Sequence, residues 1–597
     1  MFSTRLKIIL TIFAIAWLSL IVRVFYLSIQ HNNYYEDLSD KNTIKTDLIA
    51  PVRGEILDRN NNPIAINKLG FKIEIAPHLS GKNNINTLDE ELDTLVKYIP
   101  SLNKENMKKE YIKNDSYYNQ NYIEVADFIS YNEMIPVYAI LNLRENIHIL
   151  SAPQRYYPYG VIGSHIIGYV SNANQNDIDT DPLLCIIGKV GKNGVERQYN
   201  TFLEGEAGER KIKVSAKGEE IQEISHKNPE ENRKLVLSID MNLQKYISDM
   251  FKDESGAVIV MDVNGSILAA GSFPEYDLNS FVSGITTQRW KELIEDLDAP
   301  FTNKMINGLY PPGSVVKIGL GLVFMTTTLN EHWSVDCSGS YVVSNRNFRC
   351  WKKEGHGTTD IRKAIRESCD DYFYKASVKT GIDTMSNGLL RYGLGDKTGI
   401  DLPNEFIGTV PSREWKRNKY NQAWYIGETL NTSIGQGDFL VTPMQVARLT
   451  ALIATGKLVT PHVAKRIADE DVLPEYKDVL NDNEKKKLNI IRLGMHDVCN
   501  DEHGTATHFL HTKVKIAGKT GTAQVVGISQ ETKKRLQEHE MKYYTRSHAW
   551  LTTYGPYKNP QYIVTVLVEH GGHGGHAAGD IVSKIYDKLL DDGYIKQ

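Results

Sequence analysis

The segment LYPPGSVVKIGL places Ser314 and Lys317 three positions apart, just after Pro311-Pro312-Gly313. On a helix that spacing puts both side chains on one face, within hydrogen-bonding reach. A serine hydroxyl alone is a feeble nucleophile. A desolvated lysine, its pKa lowered by burial, can take up the hydroxyl proton. Free N–H groups in the first turn, together with the helix dipole, favour the negative charge that an attacked carbonyl develops. The pair therefore reads as a nucleophile and its base, although an N-cap serine followed by a surface lysine would look the same.

A second constellation is Cys337, Cys350, His356 and Cys369. Three thiols and one imidazole make a Cys3His set suited to a structural zinc ion with no open position, although the gaps exceed those of a zinc finger. The alternative is a Cys337–Cys350 disulfide with Cys369 buried as a small apolar residue. A third group, His570, His573 and His576 in EHGGHGGHAAG, reads as a flexible glycine-rich loop with no helix to hold the rings together. Cys185 and Cys499 read as structural. Five cysteines cannot all pair within one exported chain, so a pure disulfide framework is a poor fit.

These residues need a large scaffold, and 597 residues allow two or more cores. Apolar and charged fractions of 41% and 24% are those of a globular protein, and a net charge of −4 carries no polyanion signal, which argues against nucleic acid as a partner. IILTIFAIAWLSLIVRVFYLSI, residues 8–29, is long enough to cross a hydrocarbon core of ~30 Å. Arg5 and Lys7 before it predict a cytoplasmic N-terminus and an exported body; a cleaved signal peptide fits less well because no small-x-small site follows.

PVRGEILDRNNNPIAIN predicts strand, turn and strand, and residues 80–150 predict exposed helices of a non-catalytic module. YYPYGVIGSHIIGYV and GKNGVERQYNTFLEGEAGERKIKV predict glycine-marked turns and alternating strands, and the polar run 228–233 marks a boundary. Beyond it come a strand leading into a helix, a hairpin around Asn264-Gly265, a helical middle, two buried or edge strands in HAWLTTYGPY and QYIVTVLVEH, and an amphipathic closing helix. That order predicts an α+β domain, an antiparallel sheet flanked by helices. The expected limits are 1–30 for the cytoplasmic tip and anchor, 31–232 for an elongated β-rich pedestal, and 233–597 for the catalytic domain.

Two more motifs give the first its meaning: Ser368-Cys369-Asp370 in RESCDDYFYKAS, and Lys519-Thr520-Gly521-Thr522 in IAGKTGTAQ. In this order the three resemble the S-x-x-K, S-x-N and K-T-G set of the penicillin-recognising serine transferases. RGEILDRN, HIIGYV, GVERQYN, WKKEGHG, REWK and IGQGDFLVTPMQVA resemble class B penicillin-binding proteins over nearly the whole chain, in the elongation-specific penicillin-binding protein 2 branch. The resemblance implies a peptidoglycan D,D-transpeptidase acylated by β-lactams. Ser314 would attack the penultimate D-Ala of a stem peptide, Lys317 would be the base, and Ser368 would relay protons to the leaving nitrogen. Lys519, Thr520 and Thr522 would line the edge strand that holds the substrate carboxylate, and Gly521 would let the substrate backbone lie close. The N–H groups of Ser314 and Thr522 would form the oxyanion hole. Asp370 stands where the wider superfamily has Asn; a carboxylate donates no hydrogen bond unless protonated, which leaves its microscopic role open.

The resemblance further implies no cofactor for catalysis. It implies a membrane-embedded glycosyltransferase of the shape, elongation, division and sporulation family as partner, together with elongation-complex scaffold proteins. The location would be the bacterial inner membrane, single-pass, with the catalytic domain outside. Rival readings are a D,D-carboxypeptidase, a β-lactamase or a β-lactam sensor on the same fold, and a non-catalytic scaffold that activates the polymerase.

Overall fold

The computed structural model describes residues 2–30, 43–81, 84–117, 119, 121–215, 220–230, 233–525 and 538–596. The predicted polar stretch after the anchor lies outside them at 31–42, as do Glu231 and Asn232 of the expected boundary.

The chain forms two compact units. The smaller one takes residues 1–53, 173–188 and 204–232. It begins with the helix Phe2–Phe25, and Ser3–Ile29 has a mean hydropathy of 2.5, long and apolar enough to cross a membrane. The unit also holds a three-stranded antiparallel sheet, Ile44–Ile49, Gly208–Val214 and Glu220–Lys227, in that order.

The larger unit takes residues 54–172, 189–203 and 233–597. Its first sheet joins distant parts of the sequence. Lys234–Leu237 runs parallel to Glu55–Leu57, which pairs in turn with the long strand Pro63–Ile75. The region expected to be exposed helices is mixed instead. Ile123–Ser130 and Ile147–Tyr156 are strands on Pro63–Ile75, and the helix Ile85–Tyr98 buries Leu88, Leu92 and Leu95 in a core with Ile73 and Ile75. Alternation in IEVADFIS had to outweigh the Asn, Lys and Glu content around it. Short helices at Ser164–Ile167, Gly194–Gln198 and Asn200–Glu204 stand where glycine-marked turns and strands were expected.

The second sheet positions the site. Its strands are β1 (Gly256–Asp262), β2 (Ile267–Phe273), β3 (Ala517–Ala523), β4 (His548–Gly555) and β5 (Tyr562–Val568), in the spatial order β2-β1-β5-β4-β3, with every pairing antiparallel. The hairpin at Asn264-Gly265 forms as its turn dipeptide predicts. Period-2 alternation sends neighbours to opposite faces. On β4, the Thr552 hydroxyl bonds Thr450 of helix Pro443–Thr455, whereas Thr553 bonds Tyr586 of helix Gly574–Asp591. The sheet is thus covered on both sides, and β5 reads as an apolar run broken only by Thr565 because nearly every side chain on it is buried. Each fully buried aliphatic side chain here contributes ~1.5–3 kcal/mol of burial. Strand β3, which carries Lys519 to Thr522, lies at its edge.

Candidate active site

Ser314 sits in a single 3-10 turn, Gly313–Val316, that runs directly into helix α1, Lys317–Thr327. The turn is wedged against two other segments. The Gly313 N–H donates to Gly435 O at 2.9 Å, and a Cβ on Gly435 would stand 2.2 Å from Gly313 O. Only glycine permits so close an approach, at a backbone φ of +70°. On the other side, the α-carbon of Gly313 packs on the backbone of Thr522. Gln436 donates to Thr522 O at 3.2 Å, which ties the glycine segment to β3 as well.

Lys317 is fully buried. Its Nζ donates to Ser368 O at 3.0 Å, to Ser368 Oγ at 3.4 Å and to Asp370 Oδ1 at 2.6 Å, and it lies 5.2 Å from the centre of the Phe373 ring. Ser368 holds a φ of +53°, a strained setting for a residue with a Cβ, costing ~1–3 kcal/mol. Helix α2, Asp370–Thr380, starts immediately afterwards. Asp370 therefore neighbours both the lysine and Trp351, whose N–H donates to Oδ2 at 3.2 Å. Burial pushes the Asp370 carboxyl up, and the Lys317 charge pulls it down.

Lys519 is buried next to them and donates to Thr520 O at 3.0 Å. Burial, and then the charge of Lys317, hold its pKa well below the ordinary lysine value. Thr520 Oγ1 meets Thr505 Oγ1 at 2.7 Å. Gly521 lines the cleft, and its missing side chain has a second use: a Cβ there would meet Val315 Cγ1 at 3.0 Å and Pro312 O at 3.2 Å, so the glycine also admits the Ser314 turn.

A cleft of about 580 Å³ runs along these groups, within the size range of small-molecule sites. Ser314, Ser368, Asp370, Thr520, Gly521 and Thr522 line it. Trp351, Thr505, His508, Phe509, His573 and His576 line it too, as do Glu502, His503 and Gln436. Sequence reasoning missed Trp351, Gln436 and Thr505 as individual residues; only the quoted strings around the first two carried a signal, and EHGTATHF carried none. The histidine-rich stretch is not a free loop. His573 caps helix Gly574–Asp591, His576 is in its first turn, and both line the cleft, whereas His570 packs between Tyr543, Tyr544 and His548. A helix begins at Gly574 because that residue packs against Gly521 O and Trp550 O, where any Cβ would clash.

Cys337, Cys350, His356 and Cys369 converge, all buried, with their ligand atoms within 4.8 Å of one another. All five cysteines are free thiols, so the Cys337–Cys350 disulfide does not form. His356 Nδ1 stands 3.5 Å from both Cys337 Sγ and Cys350 Sγ. Tetrahedral zinc with Zn–S of ~2.3 Å and Zn–N of ~2.0 Å requires a sulfur–nitrogen separation of roughly 3.5 Å, so the donor set fits. Hydrogen bonds from Cys369 and His356 outweigh burial and draw the Cys350 thiol down, toward the thiolate a metal binds. Cys369 directly follows Ser368, and the Trp351 ring stands edge-on to His356 at 5.4 Å, so the cluster backs onto the cleft.

A serine and a buried lysine beside a second serine, set against an edge strand carrying K-T-G, define a penicillin-recognising serine transferase. The penicillin-binding protein transpeptidase domain model matches residues 256–587, and the penicillin-binding protein dimerisation domain model matches 48–237. The chain belongs to the class B penicillin-binding proteins, in the penicillin-binding protein 2 branch. It is 34% identical over 593 residues to the peptidoglycan D,D-transpeptidase MrdA of Haemophilus influenzae, covering 96% of this chain and 89% of the relative. Its structure is similar to that of penicillin-binding protein 2 of Helicobacter pylori, solved in complex with MreC, with a TM-score of 0.84 and 42% identity, covering 92% of this chain and 99% of that one. A structure described as showing the coordination of polymerization and crosslinking by a peptidoglycan synthase complex matches with a TM-score of 0.70 and 26% identity over 98% of each chain.

Proposed function

We propose that the protein is a peptidoglycan D,D-transpeptidase that joins stem peptides through an ester on Ser314 during cell elongation. The observation that carries this reading is the contact of Lys317 with Ser368, with the Ser314 turn pressed onto strand β3 beside both. Ser314 Oγ attacks the carbonyl carbon of the penultimate D-Ala as its proton passes to Lys317, which accepts it as the neutral amine. The backbone N–H groups of Ser314 and Thr522 receive the oxyanion, each worth ~3–4 kcal/mol of barrier. The C–N bond then breaks, the proton reaches the leaving nitrogen by way of Ser368, and D-Ala departs. An amine from a second stem attacks the ester, losing its proton to the same relay, and Ser314 is restored.

Thr520 and Thr522 hold the donor's terminal carboxylate with Lys519, whose depressed pKa in the empty cleft rises when that anion arrives. Asp370 positions the Lys317 amine through its 2.6 Å contact. Cys337, Cys350, His356 and Cys369 would hold a structural zinc ion with no open coordination site. When bound, it fixes the strand carrying Cys337 and the residue after Ser368 to one another. The anchor takes residues 1–30, the pedestal 31–232 and the transpeptidase 233–597, supported by the two family-model spans and by Arg5 and Lys7 before an apolar helix. The N-terminus is cytoplasmic in the inner membrane. The partners are a scaffold of the MreC kind and a membrane-embedded glycosyltransferase, supported by the assemblies in which similar proteins are solved.

The test supplies purified protein with a donor stem peptide ending in D-Ala-D-Ala and an acceptor stem, and measures free D-Ala and cross-linked dimer together. Both products in equal amount support the reading. D-Ala without dimer makes the protein a carboxypeptidase, and neither product, with no β-lactam adduct, makes it a scaffold.

A further inference from the structure

Away from the cleft, four side chains form a closed polar network inside the larger unit. Lys304 is buried, and its Nζ donates to Ser255 Oγ at 2.5 Å, Phe273 O at 2.6 Å and Asp298 O at 2.7 Å while pairing with Glu569 Oε2 at 2.8 Å. Ser255 Oγ donates to the same Oε2 at 2.5 Å. Tyr310 OH donates to the other carboxylate oxygen, Oε1, at 2.7 Å. The Glu569 N–H adds a 2.7 Å bond to Ser255 O. Both carboxylate oxygens are thereby satisfied.

Burial would push the Glu569 carboxyl up, but the Lys304 charge and the hydrogen bonds from Lys304, Ser255 and Tyr310 outweigh it and hold it below the ordinary range. Tyr310 is pushed well above 10 by burial and then by Glu569, so it stays a donor. The 2.7 Å contact is thus an O–H donor facing a carboxylate, roughly twice as strong as a neutral pair. A buried ion pair of this kind seldom stabilises a fold more than apolar packing would, so its location carries the meaning.

That location joins two segments that line the cleft. Tyr310 precedes Ser314 by four residues. Its backbone N–H and C=O pair with Val441 at 3.0 and 2.9 Å, and the next carbonyl, Pro311 O, accepts the Trp550 indole N–H at 3.1 Å. Glu569 follows the last residue of β5 and opens the segment that leads to His573 and Gly574, which also line the cleft. The Tyr310 ring stands edge-on to His548 at 5.4 Å and to Trp550 at 6.2 Å, so shape holds it from the sides and the hydroxyl fixes its depth.

We propose that Glu569, clamped by Lys304 and Ser255, is a positioning residue that fixes Tyr310 and through it the turn carrying Ser314, so that the attack geometry depends on a carboxylate that touches no substrate. The inference rests on the reading of Ser314 as the nucleophile.

Tyr310→Phe tests it in the full-length, detergent-solubilised protein, because it keeps the ring and removes one oxygen. Acylation by a chromogenic cephalosporin is followed by stopped flow over a range of concentrations, with the thermal midpoint measured on the same sample. The expected result is a limiting acylation constant reduced about tenfold, with the half-saturating concentration unchanged within about twofold and the adduct still on Ser314. A limiting constant equal to wild type overturns the inference, as does a loss confined to half-saturation. If the Phe variant does not fold, Ser255→Ala, which removes one bond to Glu569, is judged by the same split. Absence of acylation in the wild type overturns the reading of Ser314 itself, a distinct outcome.

Discussion

Replacing Gly435 by alanine presses one methyl group into the nucleophile turn. The new carbon would lie 2.2 Å from Gly313 O and 2.6 Å from Gly313 N, and real Cβ atoms do not approach closer than 3.0 Å. The turn must therefore shift by about 1 Å, displacing Ser314 relative to Lys317 and pressing the turn onto β3. A displacement of that size at a reacting atom costs roughly 10²-fold, or ~2.7 kcal/mol of barrier. Alanine at a φ of +70° adds ~1–2 kcal/mol of backbone strain that lowers stability but not the chemistry. Gly437→Ala separates the two effects. Its φ is +79°, yet the nearest atom to a new Cβ is Asn431 Cβ at 3.6 Å, so it carries the strain without the collision. The assay is the acylation rate with a fluorescent penicillin, read as band intensity against time, alongside thermal melting. Both variants should melt a few degrees lower, but only Gly435→Ala should lose acylation by roughly 10²-fold. Equal rates in the two variants would refute the claim that the glycine positions the nucleophile.

Acid stability follows from His165, whose Nε2–H donates to Pro300 O at 2.6 Å and whose pKa is lowered by burial to about 4. The native state keeps it neutral while the unfolded chain protonates near 6.5, so its contribution is complete above 6.5 and declines as the pH falls toward 4, by up to ~1.4 kcal/mol per pH unit. Denaturant unfolding at pH 7, 6 and 5 should show that decline, and His165→Asn should flatten it; an unchanged slope in the variant would contradict the assignment. Metal analysis should find about one zinc per chain, and Cys350→Ser should lose it and lower the melting temperature by roughly 5 °C or more. Zinc-free wild type that melts like the zinc-treated sample would remove the metal from the account.

The candidate site residues could be singled out because their signals are local. Ser314 and Lys317 are one helical turn apart, and the Asn264-Gly265 hairpin and the apolar run of β5 are patterns of neighbouring residues. What the sequence hid depends on contacts across it. The contacts of Gly521 with Val315 and Pro312 could not be read from its own motif. Within residues 80–150, read as exposed helices, polar composition masks the alternation of Ile123–Ser130, which only the long partner Pro63–Ile75 turns into a sheet. His573 and His576 gained a helix from a glycine pressed onto β3 and β4, and Tyr310 meets Glu569 across 259 positions. The cysteines occupy an intermediate case. Their types were visible, whereas the choice between disulfide and ligand cluster required the position of His356 among them.

Intact-mass spectrometry after incubation with a β-lactam tests the central claim most directly, with wild type beside Ser314→Ala. The account predicts that the wild type gains the mass of one drug molecule, located on the peptide containing Ser314, and that the alanine variant gains nothing. An unchanged wild-type mass, or the same adduct on the variant, would contradict it.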